Sequence, residues 1–344
     1  MDTWMYVISA LSGHHFVFSS RRANRYPPLA VLHPELGRGC LEYRKERAPV
    51  ARANAQAHGY NGSKTWMLSR FAYACANLKS VQYAAMFPWE SSLTGIETSP
   101  AGDGTHGACS APGAPPPPPL RWFDAELPAA TDPSGPVRSS AEIPRVSTGN
   151  AFGDCEQHIN SDISFATRQM WQLSHDKAWL ADTGYPLAEG IAEFWASKAT
   201  KGADGLYHIL KVMGPDEFHQ LVDDNAYTNA AAATALRFAA DAAAALGKTP
   251  PSAALWREIA DRMFIAFDAA KDYHPEYMAY YPKAGKATGV YTPPEVVKQG
   301  DTILMGFPLG WNMTASSRRN DLIVYSNVTT ANGPAMVRST RCAV

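Results

Sequence analysis

The feature that most restricts the fold of this chain is a succession of helical hydrophobic patterns in its second half. Alanine dominates residues 229–246, where larger apolar side chains recur at helical spacing until Gly247 offers a natural helix end. The same kind of pattern predicts helices over residues 156–174 and from residue 187 onward, where Pro186 is well placed to start the helix. Such a chain buries its apolar faces by packing helices on one another.

The remaining local signals complete this helical picture. Residues 250–252 predict the start of another helix, with an apolar stripe that runs to Met263 and Phe264, and residues 318–325 predict one more. Strand signals are few, and the best covers residues 206–213 after a glycine-rich turn. Helices joined by long polar loops favour an all-α toroid or barrel, with the chemistry carried by the loops at one end.

The first half of the chain has a weaker pattern. Residues 103–150 contain five consecutive prolines, at positions 115 to 119, and lack a sustained apolar period, which predicts a disordered insertion. Residues 7–26 and roughly 63–83 also fit their surroundings poorly, and we interpret them as further insertions.

Composition excludes several classes of partner. The chain has 31 Lys and Arg against 32 Asp and Glu, so it lacks the basic excess typical of nucleic-acid-binding proteins. We find no uninterrupted apolar run long enough to cross a bilayer, and the first residues do not read as a signal peptide. The five cysteines include no closely spaced pair, which indicates neither a zinc site nor a disulfide framework and slightly favours a reducing, cytoplasmic setting. No metal or other cofactor is expected.

The segment with the most chemical content is the run Gly214-Pro215-Asp216-Glu217, which His219 follows closely. Two adjacent carboxylates repel each other's ionised forms, so one of them can stay protonated and donate its proton to a leaving glycosidic oxygen. On this pattern alone the alternative is stronger, because an Asp-Glu pair ahead of a helix is usually a solvated cap.

Three other groups of residues are compatible with a sugar site. Lys298 and Gln299 can donate several hydrogen bonds to hydroxyl groups, although in isolation an exposed helix start is the stronger explanation for them. Trp89 could stack on a sugar ring beside Glu90, or simply be a core residue beside a cap. His158 lies at the start of a predicted helix, where a histidine is more often structural than catalytic.

Taken together and in order, these motifs resemble glycoside hydrolase family 65. Seven segments carry the resemblance, and they begin at Asp2, Gly59, Phe87, Glu156, Gly214, Asp224 and Val297. The closest resemblance is to the acid-trehalase-like group, which includes the protein-glucosylgalactosylhydroxylysine glucosidases. The family also contains disaccharide phosphorylases.

The resemblance implies an (α/α)6 barrel and an inverting glycosidase that releases glucose from an α-linked glucoside, either a small molecule or one linked to protein. It implies that Glu217 is the proton donor and that the first sugar subsite contains Asp2, Lys298 and Gln299. It extends less firmly to four more substrate-binding residues, namely Trp89, Glu90, His158 and Asn225.

The resemblance also implies the domain organisation. Residues 1–336 would form part of the catalytic domain, with residues 103–150 inserted into it and residues 337–344 as an atypical tail. The family's general base falls in a segment that this sequence does not match. The alternatives to a hydrolase are therefore a catalytically inactive sugar-binding relative and a family disaccharide phosphorylase.

Overall fold

The computed structural model describes residues 34–57, 84, 85, 87, 155–278, 280 and 296–329. These residues are mostly helical. The helices, in chain order, are α1 (Pro34–Glu46), α2 (Ala48–Ala57), α3 (Ile159–Ser174), α4 (Tyr185–Lys198), α5 (Ala226–Ala245), α6 (Ala253–Asp261), α7 (Asp301–Leu304) and α8 (Ala315–Val328). A single turn, Lys177–Trp179, and two π-helical turns, Leu180–Gly184 and Met305–Leu309, connect some of them.

Helix α5 is the centre of the described fold. Its alanine-rich sequence presents small side chains on every face, so α3, α4 and α6 can all pack closely against it. Fifteen of its 20 residues are buried, most of them in the main hydrophobic core and those of its first turns in a smaller cluster beside it. The helix starts three residues before the predicted range, because the Asn225 side chain caps it by accepting from the Thr228 N–H at 2.9 Å.

The other predicted helices are also present, with one correction. Helices α3, α4 and α8 overlap the predicted segments, and Pro186 lies in the first turn of α4. The predicted stripe after residues 250–252 was too long, since α6 ends at Asp261. Beyond this end Met263 forms a bridge with Tyr207, so Met263 and Phe264 belong to a sheet-like crossing rather than to the helix.

The predicted strand over residues 206–213 is wrong in length. Only Tyr207–His208 forms a strand, β2, which pairs antiparallel with β1, Thr200–Lys201. The next backbone donors are satisfied by side chains, because Asp224 accepts from Ile209 N at 3.1 Å and Asp223 accepts from Lys211 N at 2.9 Å. The ladder therefore stops where these carboxylates replace a neighbouring strand.

Helices α1 and α2 were not predicted. Helix α1 contains two glycines and many charged residues, so its apolar stripe is short, although Cys40 and Leu41 are buried. A second core cluster lies at the other end of the described chain, where buried tyrosines pack around residues 297–301. Its members are Tyr273, Tyr277, Tyr280, Val297, Ile303, Tyr325 and Val328.

Several predictions concern residues outside the described parts of the chain. The insertions at residues 7–26, 63–83 and 103–150 and the tail at residues 337–344 fall there and stay predictions. Among the described helices, none combines the length and apolar character that crossing a membrane requires. One cysteine departs from the expectation of free thiols, since Cys155 is disulfide-bonded, whereas Cys40 is free and buried.

Candidate active site

The acidic motif lies on a loop that leads from strand β2 to helix α5. Val212 and Val222 close this loop by exchanging two backbone hydrogen bonds of 2.9 Å, and Met213 N donates to Cys155 O at 2.9 Å. The loop is therefore held at its base on one side and against the start of α3 on the other. This arrangement presents Asp216 and Glu217 at the end of the helix cluster where α3 and α5 begin.

A second segment, residues 297–301, lies directly against this loop. Lys298 N donates to Asp216 Oδ1 at 2.7 Å, and the Gln299 amide donates to the carbonyl oxygen of Pro215. The Lys298 ammonium also contacts the Glu217 carboxylate. Three contacts thus join two motifs that are about 80 residues apart in sequence.

Gly214 makes the approach of these segments possible. A Cβ atom at this position would lie closer than 3.0 Å to the Asp301 carboxylate and to the Asn225 side chain. The residue before Pro215 must therefore be glycine if Asp301 and Asn225 are to keep their places.

Behind the loop lie three buried carboxylic acids and one buried histidine. We call this group the acid cluster, and its members are Asp216, His219, Glu276 and Asp301. All four side chains are at most 6% exposed. His219 Nδ1 hydrogen-bonds Asp216 and lies 3.9 Å from Glu276 Oε2, while Glu276 Oε1 accepts from Asp301 N at 3.0 Å. Donor atoms of the first three residues lie within 4.8 Å of one another, so they could also hold a cation.

Burial changes the acidity of two members of the cluster. Loss of solvent, followed by repulsion from Asp216 and Asp301, raises the pKa of Glu276 well above its ordinary value. The pKa of Asp301 is also raised, first by burial and then by repulsion from Asp216, against the hydrogen bond from Asn225. Both carboxyl groups with a raised pKa, Glu276 and Asp301, come from outside the Asp216-Glu217 motif.

Glu217 has a different environment from the acid cluster. Its side chain is 24% exposed and that of Lys298 is 28% exposed, so the pair lies at the edge of the protein. A carboxyl group here can exchange protons with solvent and reach a ligand. Of the acids in this region, Glu217 is partly exposed, whereas Asp216, Glu276 and Asp301 are buried.

Asn225 and Gln299 are enclosed by protein. Asn225 Nδ2 donates to Asp301 Oδ2 at 2.9 Å and to Glu276 O at 3.2 Å, and its oxygen accepts from the Thr228 backbone and hydroxyl. These bonds use the full capacity of the amide, which gives Asn225 a structural role within the described residues. Gln299 is 3% exposed, and its Oε1 is buried without a hydrogen-bond partner among the described residues.

His158 belongs to a separate buried group at the start of α3. Its Nδ1 lies 3.1 Å from Asp162 Oδ2, and the Tyr227 hydroxyl donates to Asp162 Oδ1 at 2.7 Å. The His158 and Tyr227 rings meet edge to face. These contacts fix the relative positions of α3 and α5 and do not include Glu217 or Lys298.

Three of the predicted site residues, Asp2, Trp89 and Glu90, lie outside the described residues. Nearby in sequence, the Phe87 backbone N–H donates to Asn160 Oδ1 at 2.7 Å, and Phe87 itself is buried. The predicted roles of Asp2, Trp89 and Glu90 in a sugar subsite stay predictions.

Comparison with known proteins shows what the chain is similar to. A model of the "Glycosyl hydrolase family 65 central catalytic domain" matches residues 139–292, which include the acidic loop, His158 and Asn225. This part of the chain is therefore similar to a segment of the family 65 catalytic domain. The match includes Asp216, His219 and Glu276 of the acid cluster and ends before Asp301.

Individual relatives are similar to a larger part of the chain than the family model matches. A protein-glucosylgalactosylhydroxylysine glucosidase of Danio rerio is 31% identical over 94% of this chain and 37% of that protein. A kojibiose hydrolase of Flavobacterium johnsoniae is 27% identical over 96% of this chain and 37% of that protein. A kojibiose phosphorylase of Caldanaerobacter subterraneus is 26% identical over 79% and 29%, respectively. The chain spans about a third of the length of these relatives.

Sequence reasoning missed Glu276 in the segment that matches the family model. Its signal was the unusual density of tyrosines around it, at positions 273, 277 and 280, which indicates a buried setting. A carboxylate in such a setting needs partners, and that of Glu276 accepts from Asp301 N at 3.0 Å, while the Glu276 backbone carbonyl accepts from Ala226 N at 2.9 Å. It therefore joins the start of α5 to the start of α7.

Proposed function

We propose that this chain is part of an inverting glycoside hydrolase that releases glucose from an α-linked glucoside. The observation that supports this proposal most strongly is the contact between Glu217 and Lys298 at a partly exposed edge, with fully buried acids behind them. The described helices are consistent with one part of the (α/α)6 barrel that the family resemblance implies.

In this proposal Glu217 donates a proton to the departing glycosidic oxygen. Donation by a positioned carboxyl group avoids expelling a free alkoxide and contributes about 10²- to 10⁴-fold to the rate. Lys298 binds hydroxyl groups of the glucosyl unit together with Gln299, whose Oε1 is an acceptor without a partner among the described residues. Asp2, Trp89, Glu90, His158 and Asn225 are proposed to complete or support the same subsite.

Inversion requires a second carboxylate that activates a water on the opposite face of the sugar, roughly 6.5–9.5 Å from the acid. The described neighbours of Glu217 are poor candidates, since Asp216, Glu276 and Asp301 are each at most 1% exposed. We therefore assign these three residues to positioning the loop and expect the base to come from elsewhere in the protein.

The substrate class follows from the names of the relatives. Two of them are named for glucosides, one linked through galactose to hydroxylysine in protein and the other kojibiose. We propose a substrate of this kind, with glucose at the non-reducing end, and include trehalose as a test compound.

The experiment that tests the hydrolase follows the anomer of the released glucose by proton NMR with kojibiose as substrate. We expect β-glucose as the first product without added phosphate, and a loss of at least about 10²-fold in rate for Glu217→Gln. Release of α-glucose, or a rate unchanged in Glu217→Gln, would contradict the proposal.

A second candidate is phosphorolysis, because one relative is named a kojibiose phosphorylase. It predicts that turnover depends on inorganic phosphate and yields a sugar phosphate. A third candidate is a sugar-binding protein without turnover, which is favoured by the burial of the other carboxylates described near Glu217, namely Asp216, Glu276 and Asp301. Glucose binding without turnover under either condition would support it.

A further inference from the structure

The acid cluster and its surroundings contain more buried acceptor oxygens than the described donors satisfy. Glu276 Oε2 and Asp301 Oδ1 are buried without a hydrogen-bond partner among the described residues. The same holds for Oε1 of Gln299, whose amide nitrogen donates to Pro215. Glu276 is 1% exposed, so its free oxygen has lost its water as well. A buried carboxylate oxygen in this condition requires a bound species that attracts it.

The members of the acid cluster supply no permanent positive charge. Three of the four are carboxylic acids, and His219 is the other. Lys298 gives Asp216 only its backbone N–H, at 2.7 Å, because its ammonium contacts Glu217. Buried carboxylates are ordinarily paired or bound to metal, so a cation inside the cluster would meet both needs with one species.

Three side chains of the cluster point toward one another. Ligand atoms of Asp216, His219 and Glu276 lie within 4.8 Å of one another. His219 Nδ1 faces both carboxylates, since it hydrogen-bonds Asp216 and lies 3.9 Å from Glu276 Oε2. Two ligands of one zinc ion can be separated by up to twice a bond of about 2.0–2.2 Å, and 3.9 Å falls inside that limit. Because Glu276 is far from the other two in sequence, motif spacing could not indicate this group.

A proton on Glu276 would fit this geometry less well than an ion. Protonation would turn Oε2 into a donor, which needs an acceptor within about 3.2 Å. The His219 nitrogen is 3.9 Å away and is already bonded to Asp216. An ion between the three side chains can bond all of them at once, and imidazole combined with carboxylates is a ligand set that suits Zn²⁺.

We propose that Asp216, His219 and Glu276 form a binding site for a divalent transition-metal ion of the Zn²⁺ class. His219 binds through Nδ1, and each carboxylate binds through one oxygen. The ion joins the acidic loop to Glu276, whose backbone carbonyl accepts from Ala226 at the start of α5. Its role is structural, because all three ligands are at most 6% exposed. The inference does not depend on the proposed hydrolase, since its test measures bound metal and not turnover.

The experiment removes metal from the full chain with a chelator and then titrates it with Zn²⁺ alone at neutral pH in a calorimeter. We expect one tight site per chain and a higher unfolding temperature once Zn²⁺ is restored. Mg²⁺ is expected to bind at least about 100-fold more weakly, because a nitrogen ligand favours Zn²⁺. Binding of Mg²⁺ as tight as that of Zn²⁺ would overturn the place of His219 among the ligands.

Glu276→Gln is the test variant, and Glu258→Gln is its matched control, since Glu258 is 42% exposed and pairs with Lys201 at the surface. We expect Glu276→Gln to lower the Zn²⁺ affinity by at least about 100-fold, more than the loss of an outer partner costs, and Glu258→Gln to leave it unchanged. His219→Gln also removes a ligand and takes the place of Glu276→Gln if that variant does not fold. A folded native chain without a tight Zn²⁺ site, or equal affinity in the test variant and its control, would overturn the proposal.

Discussion

Asp216 and Glu217 are neighbours in the sequence, yet their environments are opposite. Asp216 is 1% exposed and is bonded to His219 and to the Lys298 backbone. The Glu217 side chain is 24% exposed and contacts the partly exposed ammonium of Lys298 at the protein edge. The first carboxylate is part of the scaffold, and the second is available to a ligand.

The two acids of the motif thus differ in burial and in contacts, and in the proposed function the buried one positions the loop while the exposed one carries the chemistry. Burying a carboxylate costs desolvation free energy, and removing one partner of a buried hydrogen-bonded pair strongly lowers the stability of the fold, whereas exposed ion pairs contribute little to stability. A loop that must hold one acid in a fixed position can therefore use its neighbour as the anchor. The following changes test this division, beginning with the largest expected effect.

Replacement of Asp216 by alanine is expected to lower the free energy of unfolding by about 3–5 kcal/mol, because it breaks a buried pair and leaves His219 without that partner. Replacement of Glu217 by alanine is the matched control and should cost at most about 1 kcal/mol. Urea denaturation followed by circular dichroism measures both. Similar costs for the two variants would show that the division between scaffold and edge is wrong.

Gly214→Ala tests how tightly the acid cluster is packed against the loop. The added methyl group would collide with Asp301 and Asn225, so we expect a loss of about 1–3 kcal/mol in the free energy of unfolding. Gly39→Ala is the control, since Gly39 lies in helix α1 with no atom within 4 Å of the added carbon. It should stabilise the protein by about 0.5–1 kcal/mol. Equal effects of the two changes would contradict the close approach at Gly214.

The helical part of the fold could be predicted from the sequence because its signals are local. The alanine-rich α5, Pro186 at the start of α4 and Gly247 after α5 each act within a few residues. The strand over residues 206–213 could not be predicted correctly, since Asp223 and Asp224 replace a neighbouring strand there and come from more than ten residues away.

The candidate site shows the same limit. The motif around Glu217 and the pair Lys298 and Gln299 were visible in the sequence, but their contact was not, because it joins segments separated by about 80 residues. The acid cluster was invisible for the same reason, and Glu276 carries no motif that marks it. Resemblance to a family supplied roles for single residues, whereas the structure supplies the network among them.

Asp301→Asn tests the charge state of the buried acids. The pKa of Asp301 is raised in the folded state, mainly by burial, so the native protein holds a proton that the unfolded chain releases above a pKa of about 3.9. The stabilisation from this proton is fully present below that pH and is lost as the pH rises through the folded pKa. The variant should therefore show a shallower fall in stability with rising pH.

The measurement is the free energy of unfolding across the range from weakly acidic to weakly alkaline pH. Glu276, whose pKa is raised in the same direction, should leave a part of the slope in the variant. Asp241→Asn is the control, because Asp241 is 66% exposed and pairs with Arg257 at the surface. A slope unchanged by Asp301→Asn, or changed as much by Asp241→Asn, would mean that Asp301 is not the group that binds the proton.

The smallest effect on stability is expected for Lys298→Met, which removes the ammonium at the edge and keeps much of the side-chain volume. The loss should be at most about 1 kcal/mol, because the ion pair is partly exposed. Lys201→Met is matched to it, since Lys201 pairs with Glu258 at 2.8 Å with both side chains more than 40% exposed. We expect the two variants to unfold at similar urea concentrations, while Lys298→Met alone weakens glucose binding, by about 10-fold if one charged hydrogen bond is lost. A large destabilisation by Lys298→Met would place Lys298 with Asp216 in the scaffold, and equal glucose affinity in both variants would remove it from the sugar site.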